Sequence, residues 1–136
     1  PDNHPGNCRL IAGSQGQVFI KLSAAIILRA ITINHATPNS ISSAPKDFAV
    51  YVTHYLVFFT LIFLYGLKEE DEEKEILPGQ FTFMAGQNPS QTFQVKNEQS
   101  GFISHVRLHV LSNWGNPEYM CVYQISVHGD PAHHGD

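Results

Sequence analysis

From Cys121 onward the chain alternates, with Cys121, Tyr123, Ile125 and Val127 on one face and Gln124, Ser126 and His128 on the other. A period of two is the mark of a half-buried β-strand. The pattern recurs upstream. Gln17–Leu22 (QVFIKL) and Ala30–Asn34 (AITIN) alternate, Asp47–Tyr51 (DFAVY) is short and apolar, and Phe102–Leu111 sets Val106, Leu108 and Val110 against Arg107 and His109. Gln80–Met84 and Gln91–Val95 read as a hairpin across AGQNPS. Seven or eight short strands without a convincing amphipathic helix imply an all-β sandwich.

Two stretches break this pattern. Lys68–Glu75 (KEEDEEKE) is a charge run that reads as a solvated loop or hairpin tip, with cation binding the weaker alternative. Val52–Tyr65 (VTHYLVFFTLIFLY) is a nearly unbroken apolar run of 14 residues, shorter than the ~20 a membrane helix requires. It reads as buried strand rather than as a span. Its β-propensity, low charge and lack of proline also make it an aggregation hazard.

Composition adds limits. A chain of 136 residues that is 43% hydrophobic and 11% aromatic is globular and long enough for one core. A net charge of −4 with 8 Lys and Arg offers no basic stripe for nucleic acid and no polybasic surface for anionic lipid. Residues 1–7 (PDNHPGN) have neither the charged nor the apolar region of a secretory signal, and the chain reads as a fragment.

Cys8 and Cys121 are the only cysteines. They are either one disulfide in an oxidising compartment or two buried thiols in a reducing one, and composition leaves both open. His105 and His109 lie four apart on one strand face and His133-His134 follow near the end, but no carboxylate or thiolate cluster stands at zinc-ligand spacing. They read as surface histidines. No nucleophile–base pair, paired carboxylates or phosphate loop is evident, and GSQGQ (Gly13–Gln17) reads as a strand-leading turn, so no enzymatic activity is expected. In the turn Trp114-Gly115-Asn116-Pro117, Gly115 supplies φ freedom and Pro117 fixes its own φ.

The stretches PDNHPGNC, GSQGQVFIKL, ISSAPKDFAVY, GQFTF, QTF and LSNWGNPEYMCVYQISVHGDP, taken in that order and spacing, resemble the SUN domain, the C-terminal KASH-binding domain of nuclear-envelope SUN proteins. The resemblance covers nearly all of the chain and the later two-thirds of a SUN domain, whose first strands and lid hairpin lie upstream of the matched part. It implies residues 1–136 as a partial SUN domain, with 1–7 a remnant of a cation loop, 52–65 an insertion and 131–136 a flexible tail. The implied fold is a jelly-roll or galactose-binding-like β-sandwich.

The implied function is non-enzymatic. Such a domain belongs to the LINC complex, which links nucleus and cytoskeleton; it binds the C-terminal peptide of a KASH protein in the perinuclear space. The parent protein is anchored in the inner nuclear membrane through a segment outside this chain and is homotrimeric on a coiled coil. Nucleic acid is not a partner.

The family's carboxylate-binding residues match His35, which ends T-x-x-H, Ser43, the second serine of Ser-Ser-Ala-Pro, and Tyr119. A free carboxylate is acceptor-only, and an imidazole N–H, a hydroxyl and a phenol are donors suited to it. The resemblance also implies a Cys8–Cys121 disulfide and a potassium-like monovalent cation held by Asp2, Asn7 and Tyr123, whose oxygens suit a hard ion. No other cofactor is implied.

This chain departs from the family in four places. Cys8-Arg9-Leu10-Ile11 replaces Cys-Trp-x-Phe, the loop from His35 to Ser42 is shorter, Asn116 replaces a histidine, and Val52–Tyr65 intervenes after the DFAVY strand. In the family the peptide also adds as a strand to the lid hairpin, so this chain alone is expected to bind a KASH peptide weakly or not at all. Two alternatives stand beside this function. One is a carbohydrate- or lipid-binding sandwich with Trp114 and the Tyr119 loop as its platform, and the other is a truncated form that binds no peptide.

Overall fold

In the computed structural model, residues 8–35, 38–54, 75–96, 101–122 and 124–131 are described. They form eight strands: β1 (Arg9–Ala12), β2 (Gly16–Asn34), β3 (Asp47–His54), β4 (Glu75–Thr82), β5 (Ser90–Gln94), β6 (Phe102–Val110), β7 (Tyr119–Val122) and β8 (Gln124–Pro131). One 3-10 helix, Pro38–Ser43, lies between β2 and β3.

All the pairings are antiparallel. β4, β3, β6 and the first half of β2 make one layer, and the second half of β2 is flanked by β5 and β8 in the other. β2 therefore belongs to both layers. The two alternating stretches expected as separate strands are one strand of 19 residues. The intervening SAAIILR carries no glycine or proline to turn the chain, so β2 continues and changes partners through register shifts between Lys21 and Ile26 and between Leu28 and Ala30.

The expected hairpin of Gln80–Met84 with Gln91–Val95 is not formed. β4 pairs with β3 and β5 pairs with β2. The reason lies in the phenylalanines. Phe48, Phe81 and Phe93 meet with ring centroids 5.1 to 5.7 Å apart, a contact that requires β5 to lie across from β3 and β4 rather than beside β4. The connecting loop is held by the Gln91 side chain, which accepts from Met84 N at 3.0 Å and donates to the carbonyls of Met84 and Asn88, each at 2.8 Å.

A similar correction applies at the C-terminal end. The alternation from Cys121 to His128 spans two strands: β7 pairs with β1, whereas β8 pairs with β2. β7 and β1 are also joined covalently, since Cys8 and Cys121 form a disulfide with Cα atoms 5.4 Å apart. The cross-link closes a sequence separation of 113, which chain-entropy reasoning values at about 4 to 5 kcal/mol.

The core lies between the layers and includes Val18, Leu28, Ile31, Ile33, Phe48, Val50, Val52, Phe83, Ile103, Val106 and Leu108. Each such side chain contributes roughly 1.5 to 3 kcal/mol by leaving water. β3 runs three residues past the expected Tyr51, and Val52 and Thr53, the start of the apolar run, are buried in it. The rest of that run, from Tyr55, and residues 68–74 of the adjoining acidic stretch lie outside the described residues.

β6 differs from expectation. Its polar positions Ser104, His105 and Arg107 are buried along with the apolar ones, so His105 is not a surface histidine. Arg107 stacks on Tyr51, 4.2 Å from the ring centroid, and donates to Gln17 Oε1 at 2.9 Å.

Candidate functional site

Eight residues, 111–118, carry the chain from β6 to β7, and asparagines shape the path. Asn113 Oδ1 accepts from Gly115 N at 2.9 Å, while its Nδ2 donates to Asn116 O at 2.7 Å and Tyr119 O at 3.2 Å. Asn116 Oδ1 accepts from Glu118 N at 2.9 Å and Tyr119 N at 3.1 Å. These are Asx turns, in which a short amide side chain supplies the acceptor that a regular ladder would otherwise provide. Gly115 has φ of 124°, a backbone region that glycine alone enters readily. The Trp-Gly-Asn-Pro turn thus leads into Tyr119, the first residue of β7. Asn116 and Asn113 together hold Tyr119's backbone, the first through its N–H and the second through its carbonyl.

The same loop is tied to the 3-10 helix. Asn116 N donates to Ser42 O at 3.1 Å and Trp114 N to Ala44 O at 3.2 Å. The Trp114 indole donates to Phe83 O at 2.8 Å, and Lys46 Nζ lies 4.7 Å from its ring centroid. Phe83 in turn meets the His35 ring edge-on, with centroids 6.4 Å apart, and His35 N donates to Pro89 O at 2.8 Å. A continuous chain of contacts therefore runs from Tyr119's loop through Ser42-Ser43-Ala44, Trp114 and Phe83 to His35.

The three expected site residues differ in exposure. Tyr119 is 38% exposed, whereas His35 and Ser43 are buried. Burial removes water from the His35 imidazole and lowers its pKa below 6.5, an effect opposed by a hydrogen bond to the backbone. A depressed pKa keeps the ring neutral near pH 7, with one nitrogen a donor and the other an acceptor. Trp114 is held by its indole N–H and covered by Lys46, which is the arrangement of a structural anchor rather than of an open stacking platform.

Asp2, Asn7 and Tyr123, the expected cation ligands, lie outside the described residues, as do His133 and His134. Among the described residues no group of three or more His, Cys, Asp or Glu side chains is placed to hold a metal ion, and no helix is long and apolar enough to cross a membrane. The scaffolding roles of Asn113, Asn116 and Phe83 were not anticipated. Two asparagines three apart around a glycine are the signal that could have shown the first two.

The architecture is a galactose-binding-like β-sandwich. It superposes on a putative chitobiase from Bacteroides thetaiotaomicron with a TM-score of 0.68 at 13% identity, over 98% of this chain and 74% of that one. It also superposes on the family 32 carbohydrate-binding module of Streptococcus pneumoniae EndoD with a TM-score of 0.60 at 15% identity, over 90% and 75% of the two chains. At such identities the likeness establishes the fold alone.

Sequence carries the assignment further. The Sad1 / UNC-like C-terminal family model matches residues 1–56 and 59–131, and the chain belongs to that family. The break at residues 57–58 falls inside the apolar run. The chain is 40% identical to SUN domain-containing protein 3 of Mus musculus, over 97% of this chain and 38% of that protein. It is 40% identical to SUN domain-containing protein 2 of the same species, over 98% and 17%, and to SUN domain-containing protein 1 of Homo sapiens, over 97% and 16%. The chain thus spans less than two-fifths of the length of each of these relatives.

Proposed function

We propose that this SUN domain is a non-enzymatic binding module of the LINC complex at the nuclear envelope. It receives the C-terminal peptide of a KASH protein in the perinuclear space and belongs to a parent protein anchored in the inner nuclear membrane. The observation that carries the reading is the contact chain linking Tyr119's loop to Ser43 and His35, because it couples three donors matched to the family's carboxylate site. The buried, neutral imidazole offers an N–H, Ser43 a hydroxyl and Tyr119 a phenol to an acceptor-only carboxylate. With two of these donors withdrawn from water, an incoming carboxylate forms charge-assisted bonds in a low-dielectric setting.

Two further features complete the proposal. The parent protein trimerises on a coiled coil, and Asp2, Asn7 and Tyr123 hold a potassium-like cation. In the family the peptide also pairs with a lid hairpin N-terminal to the stretch this chain matches. Main-chain pairing of that kind supplies hydrogen bonds along the whole ligand.

The test is a calorimetric titration with a KASH C-terminal peptide bearing a free or an amidated terminus. It compares this chain with a form that carries the upstream segment of a SUN relative. Binding should require the free carboxylate and be strong only with the upstream segment. In that form Tyr119→Phe should weaken binding about tenfold, the effect of one charge-assisted hydrogen bond. Equal binding of the amidated peptide would overturn the carboxylate site.

A further inference from the structure

Asp47, the first residue of β3, is a half-buried carboxylate that no described cation pairs. Both of its oxygens are held by hydroxyls: Thr82 Oγ1 donates to Oδ1 at 2.7 Å and Ser112 Oγ donates to Oδ2 at 3.3 Å. Its backbone is fixed as well, since Asp47 N donates to Ser112 Oγ at 3.2 Å and Asp47 O accepts from Leu111 N at 2.7 Å. Lys46, its neighbour in sequence, lies over the Trp114 ring instead. Charges drawn out of water are ordinarily paired, so this one stands out.

An open cavity of about 330 Å³ lies against this carboxylate, lined by Asp47, Phe48, Gln80, Phe81, Thr82 and Leu111. Thr82 and Gln80 stand opposite Asp47 and Ala49 in the pairing of β3 with β4, so their side chains share the carboxylate's face of the sheet. None of the described lining residues is a cation, and each polar one can accept a hydrogen bond. Thr82 has given its proton to Asp47 and keeps its lone pairs, Gln80 offers its amide oxygen, and each Asp47 oxygen retains acceptor capacity. Leu111, 40% exposed, adds an apolar wall. Three acceptors beside such a wall match a group with one charge and three donors at the end of a methylene stem, which is an alkylammonium. One carboxylate falls short of the roughly six to eight oxygens that calcium takes. A guanidinium seeks both carboxylate oxygens at once, and here each already serves a hydroxyl.

We propose that this cavity is a binding site for one primary ammonium group on an aliphatic stem, the chemistry of a lysine side chain presented by a protein partner. Asp47 supplies the opposing charge, Thr82 and Gln80 accept the remaining N–H bonds, and Leu111 packs against the stem. The site does not depend on the carboxylate-binding reading, because none of His35, Ser43 and Tyr119 lines it. Acceptors already fixed by the fold lower the ordering cost of binding.

The experiment titrates the folded chain, at constant ionic strength, with Nα-acetyl-lysine N-methylamide, with its Nε-acetylated form and with the arginine counterpart. It is followed through the methyl resonances of Leu111 and the side-chain amide resonances of Gln80. Saturable shifts are expected with the lysine compound, and binding at least tenfold weaker with the other two. Asp47→Asn, which keeps the size of the side chain and removes its charge, should weaken the lysine compound about tenfold. Gln80→Ala should weaken it about fivefold, the effect of one solvent-accessible hydrogen bond. Gln80 is exposed, so its variant decides the matter even if the Asp47 variant fails to fold. Shifts that rise linearly, equal binding of the Nε-acetylated or arginine compound, or a Gln80→Ala protein that titrates like the parent would each overturn the site.

Discussion

The two layers of the sandwich turn opposite kinds of outer face away from the core. On the β5-β2-β8 side the outward groups form a ladder near solvent. Thr32 Oγ1 is 2.7 Å from Thr92 Oγ1 and 2.8 Å from His128 Nε2, Asn34 donates to Gln124 at 3.1 Å, and Arg29 donates to Asp130 at 2.7 Å. On the β2-β6-β3 side Thr53, His105 and Arg107 are each less than 9% exposed. Both faces carry polar groups, yet only on the second are several of them taken out of water. Hydrogen bonds on the first face largely replace bonds to water and contribute little, whereas a lost partner on the second leaves a buried polar group at full desolvation cost. The same residue types are thus decorative on one side and structural on the other.

The largest expected effect tests whether the faces belong to one cooperative unit. Phe48 is fully buried, packs beside Phe81 of the neighbouring strand β4 and touches Phe93 across the layers. Phe48→Ala should cost about 3 to 5 kcal/mol, the transfer and cavity loss of a buried phenylalanine. Hydrogen exchange should show protection falling together in β6 and β8. Loss confined to one of them would mean that the layers unfold separately.

Next comes the buried face itself. Arg107→Ala removes the stack on Tyr51 and the bond to Gln17 and should cost about 2 to 3 kcal/mol in denaturant unfolding, the sum of a desolvated cation–π contact and a hydrogen bond. Arg107→Met, which keeps most of the volume, should lose less. If both variants were as stable as the parent, the burial of this face would carry no energetic weight.

These two predictions rest on features that were unequally legible in the sequence. A period of two says which residues of a strand share a face, and it located β6 and both ends of β2, while β3 was legible as a short apolar segment. It says nothing about which strand lies alongside, so Gln80–Met84 and Gln91–Val95 looked like a hairpin until the meeting of Phe81 and Phe93 across the core put them in separate layers. It is equally blind to what lies over the polar side, and Arg107 and His105 were therefore expected in water. Gly115 was legible because its need for positive φ is local. The burial of His35 and Ser43 was not, because it is set by Phe83 and by the Trp114 loop, distant in sequence. The pairing of Cys8 with Cys121 was open from spacing and followed only from the family resemblance.

A smaller effect separates a buried histidine from the exposed face. Burial lowers the His35 pKa below 6.5, so the unfolded chain binds a proton more readily than the folded one. Above the unfolded value the ring is neutral in both states and imposes no penalty. As pH falls through about 6.5 the unfolded state gains protonation first, and the stability held by the neutral buried ring is lost until the folded value is reached. Unfolding midpoints compared near neutral pH and at about pH 5 should fall with acidification, and His35→Gln should flatten that fall. An identical slope in the variant would show that other groups govern the acid response.

The smallest effect completes the contrast. Arg29 and Asp130 make a short ion pair at 2.7 Å, but both side chains are 54% exposed, so water screens the attraction and two long side chains lose rotamer freedom to hold it. Arg29→Ala should change stability by no more than about 0.5 kcal/mol, several-fold less than Arg107→Ala, although each substitution removes one arginine from the outer surface of a sheet. The pair differs chiefly in solvent access, so the ratio of the two losses measures what burial adds to an arginine in this fold. A loss at Arg29 as large as that at Arg107 would break the distinction between the two faces and assign the stabilisation to charge alone.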